Sequence, residues 1–177
     1  MLNMNLNSAE FATETLLRDL GFDLHNENFR ETPARVGRFW KEFIDRPEPN
    51  LKTFDSKCLN IVSLQGYETW GLCPHHLLPV KYTAHISYTP KGKVFGISKL
   101  PRIFDYILRT LPLQEDIPHL VVDFIKEKLQ PSHVSCQVKG MHLCMVMRGV
   151  KAKDCTLLTS ADWWEDLTNA EHKVPCK

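Results

Sequence analysis

Residues 80–88 read VKYTAHISY, and apolar side chains fall at every second position of this stretch. The apolar members are Val80, Tyr82, Ala84, Ile86 and Tyr88. The residues between them are Lys81, Thr83, His85 and Ser87. Since successive side chains of a strand point to opposite faces, this alternation predicts a strand with one buried face. The following TPKGK (89–93) predicts a turn, and VFGI (94–97) predicts a short second strand.

Helical periodicity flanks this strand on both sides. On the N-terminal side, Ser8 is expected to cap a helix that ends near Leu20, and Thr32-Pro33 is expected to begin a second helix. On the C-terminal side, Ser98 is expected to cap a third helix, and a fourth is predicted over about 115–129. Further strands are predicted at LNIVSL (59–64), YETWGL (67–72), HVSCQVK (133–139) and MHLCMVMRGV (141–150). This order of elements predicts an α+β fold with two helices across one face of an antiparallel sheet.

The composition is that of a soluble globular protein. The chain has 177 residues, of which 43% are hydrophobic and 24% charged, and its net charge of +1 gives no strong field for nucleic acid or an anionic membrane. No apolar run approaches the roughly 20 residues of a membrane-spanning helix. The N-terminal MLNMNLNSAEF also lacks a secretory signal pattern. We therefore expect a cytoplasmic protein with no nucleic-acid partner and no membrane association.

The residues before the strand predict a metal site. Cys73 and His76 lie three positions apart in GLCPHHLLPV (71–80), a spacing typical of two zinc ligands from one tight loop. With six cysteines and no secretion signal, reduced thiols and metal ligands are favoured over disulfides. A third ligand must come from elsewhere. His142 and Cys144, two apart on a predicted strand, would face the same side and both offer one.

Five fragments in order resemble the GTP cyclohydrolase I family. They are ETPARV (31–36), CPHHL (73–77), GISKLPRI (96–103), LQE (113–115) and HLCMVMRG (142–149). The resemblance covers about residues 30 to 160. It implies an enzyme that uses zinc and water to open the guanine ring of GTP at C8, releases formate and forms 7,8-dihydroneopterin triphosphate.

The resemblance also assigns the metal and its chemistry. Cys73, His76 and Cys144 match the ligands of one Zn²⁺ per subunit, and three protein ligands leave a position for water, as in catalytic zinc sites. Zinc lowers the pKa of such a water to about 7. His142 matches the residue that protonates the ring at N7, and His75 matches one that handles a proton at the ribose.

Further matches imply how GTP would bind. Gln114 and Glu115 match the guanine reader, because a carboxylate accepts hydrogen bonds from N1 and N2 of guanine. The matches to triphosphate contacts are Ser98, Lys99, Arg102 and Arg148, and Ser98 is in addition counted with the catalytic residues. Arg35 matches a phosphate contact that a neighbouring subunit contributes.

The implied architecture is the tunnelling fold. In it a four-stranded antiparallel sheet carries two antiparallel helices on one face, and N-terminal helices precede the sheet. Residues 1–50 would form the N-terminal helical segment and residues 51–177 the catalytic domain as a single structural unit. Subunits of this fold pair their sheets edge to edge, which implies a homo-oligomer, commonly a decamer of two pentamers, with sites between subunits.

The sequence departs from the family pattern at Pro74, in its ending and in a short N-terminal region, and two other functions stay open. Pro74 replaces a usually acidic residue, and the ending DWWEDLTNAEHKVPCK (162–177) differs from the usual glycine-containing one. One alternative is the tunnelling-fold nitrile reductase of deazaguanine biosynthesis, which uses a cysteine nucleophile and a nicotinamide cofactor. The other is a non-enzymatic zinc-stabilised module, which would need a fourth protein ligand such as Cys136.

Overall fold

The structure is a computed structural model that describes residues 5–45 and 47–165. The described residues form two compact units, which divide between Glu48 and Pro49. Each unit is described by itself below. No helix in the described ranges is both long and apolar enough to cross a bilayer.

The N-terminal unit contains two helices, α1 (Leu6–Asp19) and α2 (Thr32–Ile44). The prediction that Ser8 caps α1 is wrong, because the side chain of Asn5 accepts the capping hydrogen bond from the Asn7 N–H at 3.1 Å. The predicted stop is confirmed, since Gly21 follows the helix with φ 83°, a left-handed conformation that glycine adopts without strain.

The helix α2 begins at the predicted residue but is capped differently. Thr32 is its first helical residue, Pro33 lies in its first turn, and Glu31 is the N-cap without a side-chain cap hydrogen bond. The Thr32 hydroxyl instead donates to the Asn28 carbonyl at 3.4 Å. Proline is tolerated here because the first-turn N–H groups have no partner within the helix.

The second unit is built on a four-stranded antiparallel sheet. Its strands are β2 (Val62–Leu72), β3 (Pro79–Thr89), β5 (His133–His142) and β6 (Leu157–Trp164), in the spatial order β2-β3-β5-β6. Two short strands, β1 (Thr53–Asp55) and β4 (Lys93–Phe95), form a separate antiparallel pair. The predicted α+β class and four-stranded antiparallel sheet are confirmed.

One face of this sheet is covered by α3 (Lys99–Leu108) and α4 (Ile117–Leu129). Burial alternates along β3 as predicted, and its apolar side chains join the core formed with the two helices. The helical core positions are Leu100, Ile103, Phe104, Ile107 and Leu108 of α3 and Ile117, Val121, Val122, Ile125 and Leu129 of α4. Hydrophobic burial on this face is therefore what holds the helices on the sheet.

Three sequence predictions need correction in this unit. The stretches 59–64 and 67–72 belong largely to one strand, β2, whose register shifts between Leu64 and Tyr67, where Gly66 has φ 67°. The edge strand β6 was not predicted. The strand predicted over 141–150 is also wrong. There β5 ends at His142, and Leu143–Val146 forms a single helical turn, α5, closed by the Met147 N–H on the Leu143 carbonyl at 2.8 Å.

Candidate metal centre and active site

A tight loop between β2 and β3 presents the Cys-x-x-His pair. The Cys73 N–H donates to the Leu78 carbonyl, and the Leu77 N–H donates to the Cys73 carbonyl, both at 2.8 Å. Leu77 takes a left-handed φ of 54° to close the loop. As a result Cys73 points into the protein with 3% exposure, while His75 and His76 lie at the surface of the unit.

The structure brings Cys73, His76 and Cys144 together. The Cys73 Sγ lies 3.7 Å from His76 Nδ1 and 3.8 Å from Cys144 Sγ. One ligand atom from each of the three residues lies within 4.8 Å of the others. Two thiols and an imidazole at this spacing suit zinc, which prefers sulfur and nitrogen ligands in a tetrahedral arrangement. The residues present therefore fit the metal that the sequence predicts.

Cys144 reaches this group from the helical turn α5 and not from a strand face. The pairing of Val80 with His142 places the end of β5 beside the start of β3, next to the loop that carries Cys73. The turn then returns Cys144 towards that loop. Burial raises the pKa of the Cys144 thiol, the neighbouring Cys73 thiol raises it further, and Arg148 opposes both. A bound cation reverses this preference, because metal ligation requires the thiolate.

His142 lies beside the group but is held by a different partner. Its Nε2 is 2.6 Å from the Oε1 of Gln114. Burial lowers the pKa of His142, with Glu115 acting in the opposite direction and His75 adding to the decrease. The imidazole is thus favoured in its neutral form in the free protein, with one nitrogen engaged by Gln114.

Gln114 is a buried amide whose orientation is fixed. It is 3% exposed, and its Nε2 donates to the Leu157 carbonyl at 2.9 Å and to the Val138 carbonyl at 3.4 Å. Its oxygen must therefore be the atom that faces His142, and this assigns the proton of that contact to His142 Nε2. The structure places Gln114 behind His142, whereas the neighbouring Glu115 is exposed at the surface.

Tyr82 is a residue near the site that the sequence analysis assigned only to the core. Its ring meets the His142 ring edge to face, with centroids 6.2 Å apart. Burial raises the pKa of Tyr82 well above its usual range, and Cys73, Glu115 and Cys144 add to the increase. The phenol therefore stays protonated at neutral pH. Its proximity to these groups depends on strand register, which no local sequence pattern reveals.

Two further predicted site residues lie close to the ligand group. The Nη1 of Arg148 is 2.7 Å from His76 Nε2, so this cation is within reach of the same space. The Nδ1 of His75 is 3.9 Å from the Cys73 Sγ, and its ring centroid is 6.3 Å from that of His76.

The predicted phosphate-binding residues of α3 are at the other end of that helix. Ser98 is its N-cap, Lys99 donates to the Asn50 carbonyl, and Arg102 is exposed. The last helical residue, Leu108, lies 3.6 Å from where a Cβ on Gly71 would be, at the metal end of the sheet. At about 1.5 Å per residue, the ten residues of α3 place Ser98 roughly 15 Å from that end. One chain does not bring these residues into the metal group.

Arg35 belongs to the N-terminal unit. It forms an exposed pair with Glu31 one helical turn away, at 2.9 Å. Exposed pairs of this kind contribute little to stability, so Arg35 is available to a ligand at small cost.

Cys136 lies outside the ligand group. It is 1% exposed on β5, opposite Ile86, and burial raises the pKa of its thiol to about 12. Among the described residues, the group that could hold a metal consists of Cys73, His76 and Cys144. The fourth protein ligand needed by a purely structural zinc module is therefore not supplied by Cys136. Cys176 lies outside the described residues.

Comparisons with known proteins connect this chain to one family. The sequence model of the family described as GTP cyclohydrolase I matches residues 9–173. A Bacillus cytotoxicus protein named GTP cyclohydrolase 1 is 36% identical over 167 residues, which are 91% of this chain and 88% of that protein. The bifunctional protein FolKE of Lactococcus lactis subsp. lactis is 35% identical over 176 residues, which are 95% of this chain. This chain spans 50% of that relative's length.

Among solved structures, the chain is similar to one described as the archaeosine synthase QueF-Like in the apo form. The sequence identity is 16% and the TM-score is 0.44. The similarity covers 58% of this chain and 91% of that chain.

The ligand geometry predicts the effect of removing one thiol. Cys144→Ser should lose the bound metal, because a hydroxyl is a much poorer zinc ligand than a thiolate. Cys136→Ser is the matched control, since it makes the same chemical change in a buried cysteine outside the group and should keep the metal. Elemental analysis of both purified variants checks this. Full zinc content in Cys144→Ser would show that the ligand assignment is wrong.

Proposed function

Because the chain belongs to the GTP cyclohydrolase I family, we propose that it is a zinc-dependent hydrolase that opens the imidazole ring of GTP at C8. In this proposal it releases formate, and the opened nucleotide recloses to 7,8-dihydroneopterin triphosphate. The observation that carries the proposal is the meeting of three metal ligands, Cys73, His76 and Cys144, beside the oriented imidazole of His142.

The three protein ligands would leave one coordination position of a tetrahedral metal open for water. Three protein ligands suit a catalytic site, and a zinc ion held by Cys73, His76 and Cys144 would act as a Lewis acid that activates water. The burial of Cys73 on one side and the exposure of His76 on the other place the group at the border between core and solvent. A substrate can therefore approach from the histidine side while the thiol side stays anchored.

His142 is proposed as the general acid at N7 of the guanine ring. Its Nε2 is occupied by Gln114, so Nδ1 is the nitrogen left to exchange a proton with the substrate. The carboxylate of Glu115 favours the protonated form and opposes the effect of burial. His75, exposed beside Cys73, is proposed to handle the proton at the ribose.

Glu115 is proposed to select guanine. It is exposed next to the buried Gln114, close enough for its charge to act on His142. A carboxylate there accepts hydrogen bonds from the N1 and N2 hydrogens of guanine, which adenine does not offer in that position. Gln114 contributes to the reader by holding this segment, since its main-chain carbonyl also accepts a hydrogen bond from the Thr159 hydroxyl at 3.2 Å.

The triphosphate is proposed to bind Arg148, Ser98, Lys99, Arg102 and Arg35. The N-terminus of α3 carries the positive end of the helix dipole, which favours an anion, and the cations supply the opposing charge. Because Ser98 is roughly a helix length from the metal end of its own chain, the proposed site takes its α3 residues from another copy. We therefore propose a homo-oligomer, with the decamer of two pentamers as the expected form.

The first prediction tests the activity and the role of His142 together. The purified protein should release formate from GTP and form a pterin chromophore. His142→Ala should keep its metal and release formate more slowly by roughly 10²- to 10⁴-fold, the usual contribution of a positioned general acid. His119→Ala, an exposed histidine on α4, is the control and should match the parent protein. Metal loss in His142→Ala would make it a ligand, and near-normal formate release would exclude it from the mechanism.

The second prediction concerns base recognition. Glu115→Ala should bind GTP roughly 10- to 100-fold more weakly, because hydrogen bonds to a charged group contribute about 1.5–3 kcal/mol. Asp116→Ala removes the adjacent exposed carboxylate and should leave GTP affinity unchanged. Calorimetric titration with GTP measures both. Equal affinities in the two variants would place the guanine reader elsewhere.

The third prediction concerns assembly. Light scattering at the assay concentration should show an oligomer, and dilution to monomers should abolish formate release, because the proposed site combines the α3 residues of one copy with the metal group of another. A fully active monomer would contradict the shared site.

A further inference from the structure

Tyr82 occupies a space that two neighbouring glycines leave open. It is 1% exposed on β3, directly opposite Gly140 of β5, and Gly71 of β2 lies diagonally across from it. A Cβ on Gly71 would come within 2.7 Å of Tyr82 Cε2, and one on Gly140 within 3.1 Å of Tyr82 Cε1. Real Cβ atoms do not come as close as 2.7 Å, so the Tyr82 ring can occupy this position only because residue 71 is a glycine.

The same ring lies between the hydrophobic core and the candidate active site. On the core side it meets Phe104 edge to face, with centroids 6.3 Å apart and an interplanar angle of 83°. On the site side it meets His142 at 6.2 Å and 86°. Edge-to-face pairs are an attractive arrangement of aromatic rings, so each contact favours a defined ring plane.

His142 needs such a second contact. Within the described part of the chain, the side-chain hydrogen bond of His142 is the one to Gln114. One hydrogen bond through Nε2 leaves the ring free to turn about that bond and to swing Nδ1 away from the substrate. The contact with Tyr82 restricts this rotation. Both contacts of His142 require a glycine at position 140, because a Cβ there would overlap the Gln114 amide oxygen as well as crowd Tyr82.

We propose that Tyr82 is a positioning residue that fixes the imidazole plane of His142, and that its ring does this while its hydroxyl is dispensable. The inference rests on the function proposed above for His142. Reaction rates are sensitive to such positioning, since a misplacement of a catalytic group by about 1 Å can lower the rate by roughly 10²-fold.

Three variants separate the contribution of the Tyr82 ring from those of its hydroxyl and of core packing. Tyr82→Leu should lower kcat for formate release by roughly 10- to 100-fold, with the KM for GTP within about twofold and the metal retained. Tyr82→Phe keeps the ring and should restore the parent kcat. Phe104→Leu removes the other edge-to-face partner of Tyr82 without touching His142. It should lower thermal stability by an amount similar to Tyr82→Leu while leaving kcat near normal.

A second measurement does not require GTP turnover. In ¹⁵N-edited NMR spectra of the metal-loaded protein, the His142 Nε2 proton should be protected from exchange in the parent and in Tyr82→Phe. It should exchange rapidly in Tyr82→Leu. Gly71→Ala, which displaces the Tyr82 ring without removing it, should give the same loss of protection and covers the case in which Tyr82→Leu does not fold.

Several outcomes would overturn the inference. Equal loss of kcat in Phe104→Leu and Tyr82→Leu would reduce Tyr82 to a packing role, and so would an unchanged His142 signal in Tyr82→Leu and Gly71→Ala. Loss of kcat in Tyr82→Phe would assign the effect to the hydroxyl. If the parent protein released no formate, the proposed function would fail, whereas the NMR result would still decide whether Tyr82 holds His142.

Discussion

The antiparallel pairing of β3 with β5 is the constraint on which the site depends. It sets Val80 opposite His142 and so places the loop before β3 next to the turn that follows β5. Without this register, Cys73 and Cys144, which are 71 residues apart in sequence, would have no reason to meet. Burial of the apolar side of β3 under α3 and α4 fixes the register, because a slip by one residue would turn five core side chains to the opposite face.

The proposed function divides three tasks among residues near the paired ends of β3 and β5. In this proposal, the two thiols would hold a metal at the edge of the core, and His142 and Glu115 would supply proton transfer and base recognition beside it. The cations of α3 are a helix length away. Groups that must be rigid are buried and held by several contacts, as Gln114 is by two carbonyls and His142. Groups that must meet a large, charged ligand are left exposed. In the proposed function, this division would let a small sheet with one covered face support a reaction on a whole nucleotide.

The sequence predicted those features that repeat with a regular period. The alternation from Val80 to Tyr88 and the apolar side of α3 are confirmed because burial imposes these periods over two or more turns or pleats. The strand predicted at α5 is wrong because the four residues Leu143–Val146 are too few to distinguish the helical period from the strand period. They include good helix formers, which favour the observed turn. The strand β6 was missed because an edge strand buries little: most of its side chains are partly or fully exposed.

The ligand group itself has a consequence for the stability of the fold. Its members come from the β2–β3 loop and from α5, so a cation held by all three would cross-link two distant segments of the chain. Closing so long a loop in the unfolded chain costs entropy, and a ligand that binds only the folded state adds its own binding free energy to folding. The bound cation would then stabilise the sheet in addition to its proposed role in catalysis. Removing the cation would loosen the start of β3, where Gly71 of β2 and Gly140 of β5 lie beside Tyr82.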